Sequence, residues 1–141
     1  MEIKVAKSAQ DILLCCEVMQ ALRPHLNKEN IVPIIEGMMT RGYHLIYIEE
    51  GGKAVAASGY RFSEHLHWGK AIYVDDLSTL AEARKKGYGH ALLDYIIAEA
   101  KAKHCQSVQL DSGTNPARYD AHRLYLKYGF NITSHHFALK V

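Results

Sequence analysis

Between Lys70 and Asp111 the chain reads as strand, basic glycine turn, helix and strand, and this run constrains the fold more than any other segment. Lys70 to Leu80 carries Ile72, Val74 and Leu77 and predicts a strand. Ala81 to Tyr88 is charged and glycine-bearing. His90 to His104 follows with an apolar stripe of Leu92, Leu93, Ile96, Ile97 and Ala100, and with Lys101, Lys103 and His104 in its last turn, where cations suit the helix dipole. Ser107 to Asp111 is a second short strand. A strand–helix–strand run of this length makes a crossover connection, so the two strands pair in parallel at a splayed or central position of one sheet.

The flanking segments fill out that sheet. Ile3 and Val5 alternate with polar residues in a short first strand. Ser8 is an N-cap candidate with Asp11 three residues on, and Ile12, Cys15, Cys16, Met19 and Leu22 form one helical stripe that Pro24 closes. A second helix begins at Asn27 or Asn30 and ends at Gly42. Tyr43 to Glu50, the Gly51-Gly52 turn and Lys53 to Phe62 predict a hairpin, and Ser63 to Gly69 a loop or second turn. Asn115-Pro116 opens a last helix carrying Ala121, Leu124, Tyr125 and Tyr128 and closing at Gly129. Phe130 to Val141 reads as a final strand. The order β-α-α-β-β-β-α-β-α-β is a mixed α/β sheet, splayed at its centre, built as one domain over residues 1–141.

Composition narrows the function. Seventeen Lys plus Arg against fifteen Asp plus Glu is too even for a nucleic-acid or membrane-surface binder, so any basic site is a local cluster. No apolar run approaches the roughly 20 residues that span a bilayer. Three cysteines, Cys15, Cys16 and Cys105, form no CxxC pair and fit a reducing compartment, hence a cytoplasmic protein. The pairs His65-x-His67 and His135-His136 lack a third ligand at metal spacing, so no metal is expected.

The local basic cluster is Arg84-Lys85-Lys86-Gly87-Tyr88-Gly89. Glycines permit a tight turn and close approach of a ligand to the backbone. The free N–H groups of the following helix start favour an anion, and three cations beside them suit a diphosphate. A Walker loop is excluded because no Gly-Lys-Ser/Thr is present. A Rossmann fingerprint is excluded because Leu92 stands where the third glycine would.

Two motifs in this order resemble the GNAT superfamily of N-acetyltransferases. Arg84-x-x-Gly87-x-Gly89 is similar to that family's pyrophosphate signature. Ala121-x-x-Leu124-Tyr125-x-x-x-Gly129-Phe130 is similar to its C-terminal helix signature, and the element order agrees across essentially the whole chain. One departure is Ala81, where the family often has proline. The resemblance implies a site for acetyl-CoA: main-chain groups of Leu77, Ser78 and Thr79 for the pantetheine arm and thioester carbonyl, and Arg84, Lys85, Lys86, Gly87, Tyr88 and Gly89 for the phosphates. It implies direct transfer of the acetyl group to a small-molecule or peptide amine, with Tyr125 as the acid that protonates the leaving thiolate.

The base is expected among Asp76 and Asp75, mid-strand acids that strand alternation sends to opposite faces, with Asp111 a further candidate. Asp75, Asp76 and Asp111, together with Glu64, also suggest a cationic acceptor. The alternative is a non-catalytic acyl-CoA-binding sensor, in which Tyr125 has no chemical work. The final strand is free to pair, which points to a homodimer.

Overall fold

The computed structural model describes all 141 residues, which divide into two compact units, Met1–Gln109 and Leu110–Val141. The elements run β1 (Lys4–Val5), α1 (Ala9–Leu14), α2 (Cys16–Leu22), α3 (Lys28–Met39), β2 (Tyr43–Glu50), β3 (Lys53–His65), β4 (Gly69–Thr79), α4 (Tyr88–Ala102), β5 (Ser107–Leu110) and α5 (Tyr119–Tyr128). The sheet order is β1-β2-β3-β4-β5, with the pairs β1–β2, β2–β3 and β3–β4 antiparallel.

Local chemistry sets the helix starts as expected. Ser8 and Asp11 exchange a reciprocal pair of capping bonds, Asp11 N to Ser8 Oγ at 3.2 Å and Ser8 N to Asp11 Oδ2 at 3.1 Å. Asn27 and Asn30 do the same for α3 at 3.0 Å each way, so that helix starts at the earlier of the two candidates. The first helix is not continuous. Cys15 N bonds back to Ile12 O at 2.9 Å, three residues away, and this tighter turn separates α1 from α2.

Within the larger unit β3 is the middle strand. Ala54 to Tyr60 is buried without interruption, which is why that stretch is built of small residues and Val55 rather than alternating polar ones. Helix α2 packs on β3 and β4 from one side. Helix α4 packs over β2, β3 and β4, burying Leu92, Leu93 and Ile96 completely. The second hairpin is longer than its sequence suggests: β3 continues to His65 and β4 starts at Gly69, so Leu66, His67 and Trp68 form the tip.

Two expectations are corrected. Phe130–Val141 forms no regular strand: its backbone joins no ladder, and Ile132, Phe137, Leu139 and Val141 are exposed. A dimer inferred from that strand loses its ground. Asp75 and Asp76 do not alternate either. The β3–β4 register runs Gly59 to Asp76 and then Tyr60 to Val74, so Asp75 is the extra residue of a β-bulge. A bulge sets two residues against one and turns both to one face.

Gly59 faces that bulge. Tyr43 crosses β3 directly above it to donate its hydroxyl to Asp76 Oδ2 at 2.7 Å. A Cβ on Gly59 would lie 1.6 Å from the Tyr43 Oη and 2.1 Å from Cζ. Gly59→Ala is therefore expected to displace the Tyr43 ring and destabilise the protein by about 3 kcal/mol, from overpacking and a broken buried hydrogen bond. Urea midpoints check this, and the same change should cost markedly less in a Tyr43→Ala background.

Candidate functional site

The site begins where β4 passes the bulge. Leu80 N donates to Val55 O at 2.9 Å. In an antiparallel ladder the main-chain groups alternate sides. Leu80 and Ser78 thus turn theirs towards β3, and Leu77 and Thr79 turn theirs away from it. Of the three residues expected to face a pantetheine arm, Leu77 and Thr79 turn their main-chain groups away from β3. Ser78 is committed to the fold, with its hydroxyl donating to Val18 O of α2 at 2.9 Å.

The chain then makes a 3₁₀ turn at Ala81–Ala83 and enters the basic loop. Lys85 (φ 64°) and Gly87 (φ 84°) both take left-handed backbone, unusual for a lysine. Left-handed residues in so short a run form the concave arrays of N–H groups that hold anions. Arg84, Lys85, Lys86 and Gly87 are all exposed. Gly87 is the N-cap of α4 and offers no side chain, and no acid stands in the first turn. The N–H groups of Tyr88, Gly89 and His90 are thus the uncapped donors of a 15-residue helix. The Tyr88 ring is buried and its hydroxyl donates to Glu50, so Tyr88 offers an anion its main chain only.

The bulge carries a charged network. Arg61 grips Asp75 with Nε to Oδ1 at 3.1 Å and Nη2 to Oδ2 at 2.6 Å, and its guanidinium lies 5.6 Å from the centre of the Tyr43 ring. Arg23, the C-terminal cap of α2, reaches Asp76 Oδ1 with Nε at 3.0 Å and Nη2 at 2.9 Å, and donates from Nη2 to the Asp75 carbonyl at 2.9 Å. Ser58, fully buried, donates its hydroxyl to the Asp76 carbonyl at 2.7 Å. Both carboxylates therefore sit in tight pairs rather than offering unpaired negative charge. Asp111 pairs with His136, Nδ1 to Oδ1 at 3.5 Å. The case for a cationic acceptor drawn from these acids is weaker for it.

Arg23, Tyr43, Ser58 and Arg61 did not stand out in the sequence. Gly59 carried a usable signal, because an isolated glycine inside a strand marks a bulge or a close approach.

In the smaller unit, Tyr125 lies on α5 with only 8% of its surface exposed. Phe130 N closes the helix end on Tyr125 O at 3.0 Å, past a left-handed Gly129 (φ 105°), and the Phe130 ring meets Tyr125 edge-on at 5.9 Å. Burial pushes the Tyr125 phenol above its ordinary value, partly offset by Arg118. It stays protonated at neutral pH, the form a proton donor needs. Cys105 is half-buried, while Cys15 and Cys16 are buried.

The sequence profile described as Acetyltransferase (GNAT) family matches residues 9–130. A curated relative, the uncharacterized N-acetyltransferase YhdJ of Bacillus subtilis (strain 168), is 35% identical over 122 residues, covering 85% of this chain and 84% of that protein. Among solved structures, a ribosomal-protein-alanine N-acetyltransferase from Brucella melitensis superposes with a TM-score of 0.83 at 15% identity, covering 100% of both chains. A Trypanosoma brucei acetyltransferase gives 0.79 at 21% identity, with 99% of each covered. The aminoglycoside N-acetyltransferase AAC(6')-Iy in complex with CoA gives 0.81 at 12% identity, covering 99% of this chain and 95% of that one.

Burial raises the Tyr43 phenol well above its ordinary value, with the Asp76 carboxylate adding to the effect. Tyr60 is shifted the same way by burial. Such groups hold their protons more tightly folded than unfolded, so their contribution is complete below the unfolded phenol value near 10 and declines as pH rises above it. Unfolding free energy is expected to be flat in this respect up to about pH 9.5 and to fall beyond pH 10. In Tyr43→Phe that alkaline slope should be shallower, as denaturant titrations at stepped pH would show.

Proposed function

The chain belongs to the GNAT acetyltransferase family and is an N-acetyltransferase, and on that premise we propose that it transfers the acetyl group of acetyl-CoA directly to a primary amine held beside β4. One observation carries the reading: a long helix whose first turn has no side-chain cap and no acid follows three exposed cations and a left-handed glycine. That arrangement fits a diphosphate with an apolar strand edge next to it, and nothing in it favours a neutral ligand.

The residues divide the work as follows. The N–H groups at Gly87, Tyr88, Gly89 and His90, with Arg84, Lys85 and Lys86, hold the phosphates. Main-chain groups of Leu77 and Thr79 take the pantetheine amides, and the Leu77 N–H donates to the thioester oxygen as it gains negative charge. Acetyl-CoA supplies the activated acyl group. The neutral amine nitrogen bonds to the acetyl carbonyl carbon, the carbon–sulfur bond breaks, and Tyr125 protonates the departing thiolate. The proton lost by the amine passes to solvent and restores the Tyr125 phenol. An acceptor that arrives as an ammonium must first lose one further proton. Asp76 and Asp75, each already accepting from an arginine, take that proton only through water and serve chiefly to shape the acceptor side.

Thermal unfolding with acetyl-CoA, CoA, ATP and NAD in parallel tests the cofactor. Acetyl-CoA and CoA are expected to raise the midpoint, with about 2.7 kcal/mol of stabilisation at a hundredfold excess over the dissociation constant. Gly89→Trp should remove the shift, and ATP or NAD stabilising equally well would sink the assignment. Tyr125→Phe should keep the shift but lower thiol release about 100-fold with whichever of an α-amino peptide, a lysyl peptide or spermidine serves as acceptor. An unchanged rate would leave Tyr125 as a packing residue.

A further inference from the structure

The bulge of β4 fixes the direction of one main-chain donor, and side chains from three other elements hold the bulge. Ser58 Oγ from β3 takes the Asp76 carbonyl at 2.7 Å, and Arg23 Nη2 from α2 takes the Asp75 carbonyl at 2.9 Å. Arg23 and Tyr43 together take the Asp76 carboxylate, at 3.0 and 2.7 Å. The two successive peptide carbonyls of the bulge thus each accept a bond from a side chain, at the point where the extra residue interrupts the register.

The peptide between Asp76 and Leu77 is planar and trans, so its N–H points opposite to its C=O. The Asp76 carbonyl accepts from Ser58 on β3, and the Leu77 N–H therefore points away from β3. The ladder alternation counted back from Leu80 gives the same direction independently. We propose that Ser58 and Arg23 are positioning residues that aim the Leu77 N–H at the acyl carbonyl, with Tyr43 holding Asp76 as the anchor of the frame. This inference rests on the acetyl-CoA reading above.

Without these side-chain bonds the bulge has a softer peptide plane, because the register is interrupted at Asp75. Arg23 suits the task through its planar fork, which reaches a carboxylate and a carbonyl at once; lysine offers a single point charge and can satisfy only one of them well. Arg23 side-chain exposure is 42%, so the pair with Asp76 acts as a geometric restraint more than as a source of stability.

The test uses acetyl-CoA alone, labelled with ¹³C at the thioester carbonyl and bound to the full chain. Donation from the Leu77 N–H lowers the bound carbonyl stretching frequency. In Ser58→Ala and Arg23→Gln the frequency is expected to return towards its value in solution, and the slow acceptor-free hydrolysis of acetyl-CoA to fall about 10- to 100-fold. Arg23→Lys should lie between. Acetyl-CoA must still raise the melting midpoint in each variant, which separates misaiming from loss of fold. Bound cofactor with an unmoved frequency in both Ser58→Ala and Arg23→Gln overturns the positioning role alone. No acetyl-CoA shift in the unaltered chain overturns the cofactor reading and this inference with it.

Discussion

Two carboxylates side by side in the middle of a sheet are the arrangement around which the larger unit is organised. Their like charges repel, and each is offset by an arginine of its own. Arg61 reaches Asp75 from the neighbouring strand and Arg23 reaches Asp76 from the end of α2. The pairing fastens the α2 terminus to β4. Tyr43 completes it from β2, and the only room for its ring is over a residue without a side chain, Gly59. The charge problem thus determines the glycine, the tyrosine and the place where the helix ends.

The same bulge separates β4 into two functional halves. Before it, Ala71, Ile72 and Val74 are core. After it, the ladder to β3 runs from Asp76 to Thr79, while β5, only four residues long, is short beside the eleven of β4. A strand that is paired on one side and has main-chain groups turned to the other is suited to binding an extended amide-bearing chain, by the same bonds that would otherwise build a sheet. The basic loop follows after one 3₁₀ turn, so the main-chain groups that face away from β3 and the exposed cations of the loop come in chain order along one continuous segment, Leu77 to His90.

That order is why so much was legible in the sequence. The strand, the glycine-bearing turn and the long helix are local patterns, each governed by residues within a few positions, and the capping pairs Ser8–Asp11 and Asn27–Asn30 are local too. The bulge is not local. Its existence depends on Gly59, Tyr43 and Arg61 lying across two strands and on Arg23 arriving from a helix more than fifty residues earlier. Period-two alternation assigns Asp75 and Asp76 to opposite faces and has no means of counting an extra residue. The last segment failed for a related reason. Alternating Phe137, Leu139 and Val141 satisfy a strand pattern, but a strand exists only where a neighbour accepts its backbone bonds.

The network also bears on what the acids can do. The Asp76 carboxylate takes Arg23 on Oδ1 and the Tyr43 hydroxyl on Oδ2, and Arg61 takes Asp75, so both acids are fixed members of the frame that holds the bulge. Tyr125 presents a different case, a phenol whose burial opposes ionisation and which keeps its proton at neutral pH. Of the two kinds of residue singled out in the sequence for proton transfer, the phenol is buried with its proton kept, and the acids are tied by arginines into the frame of the bulge.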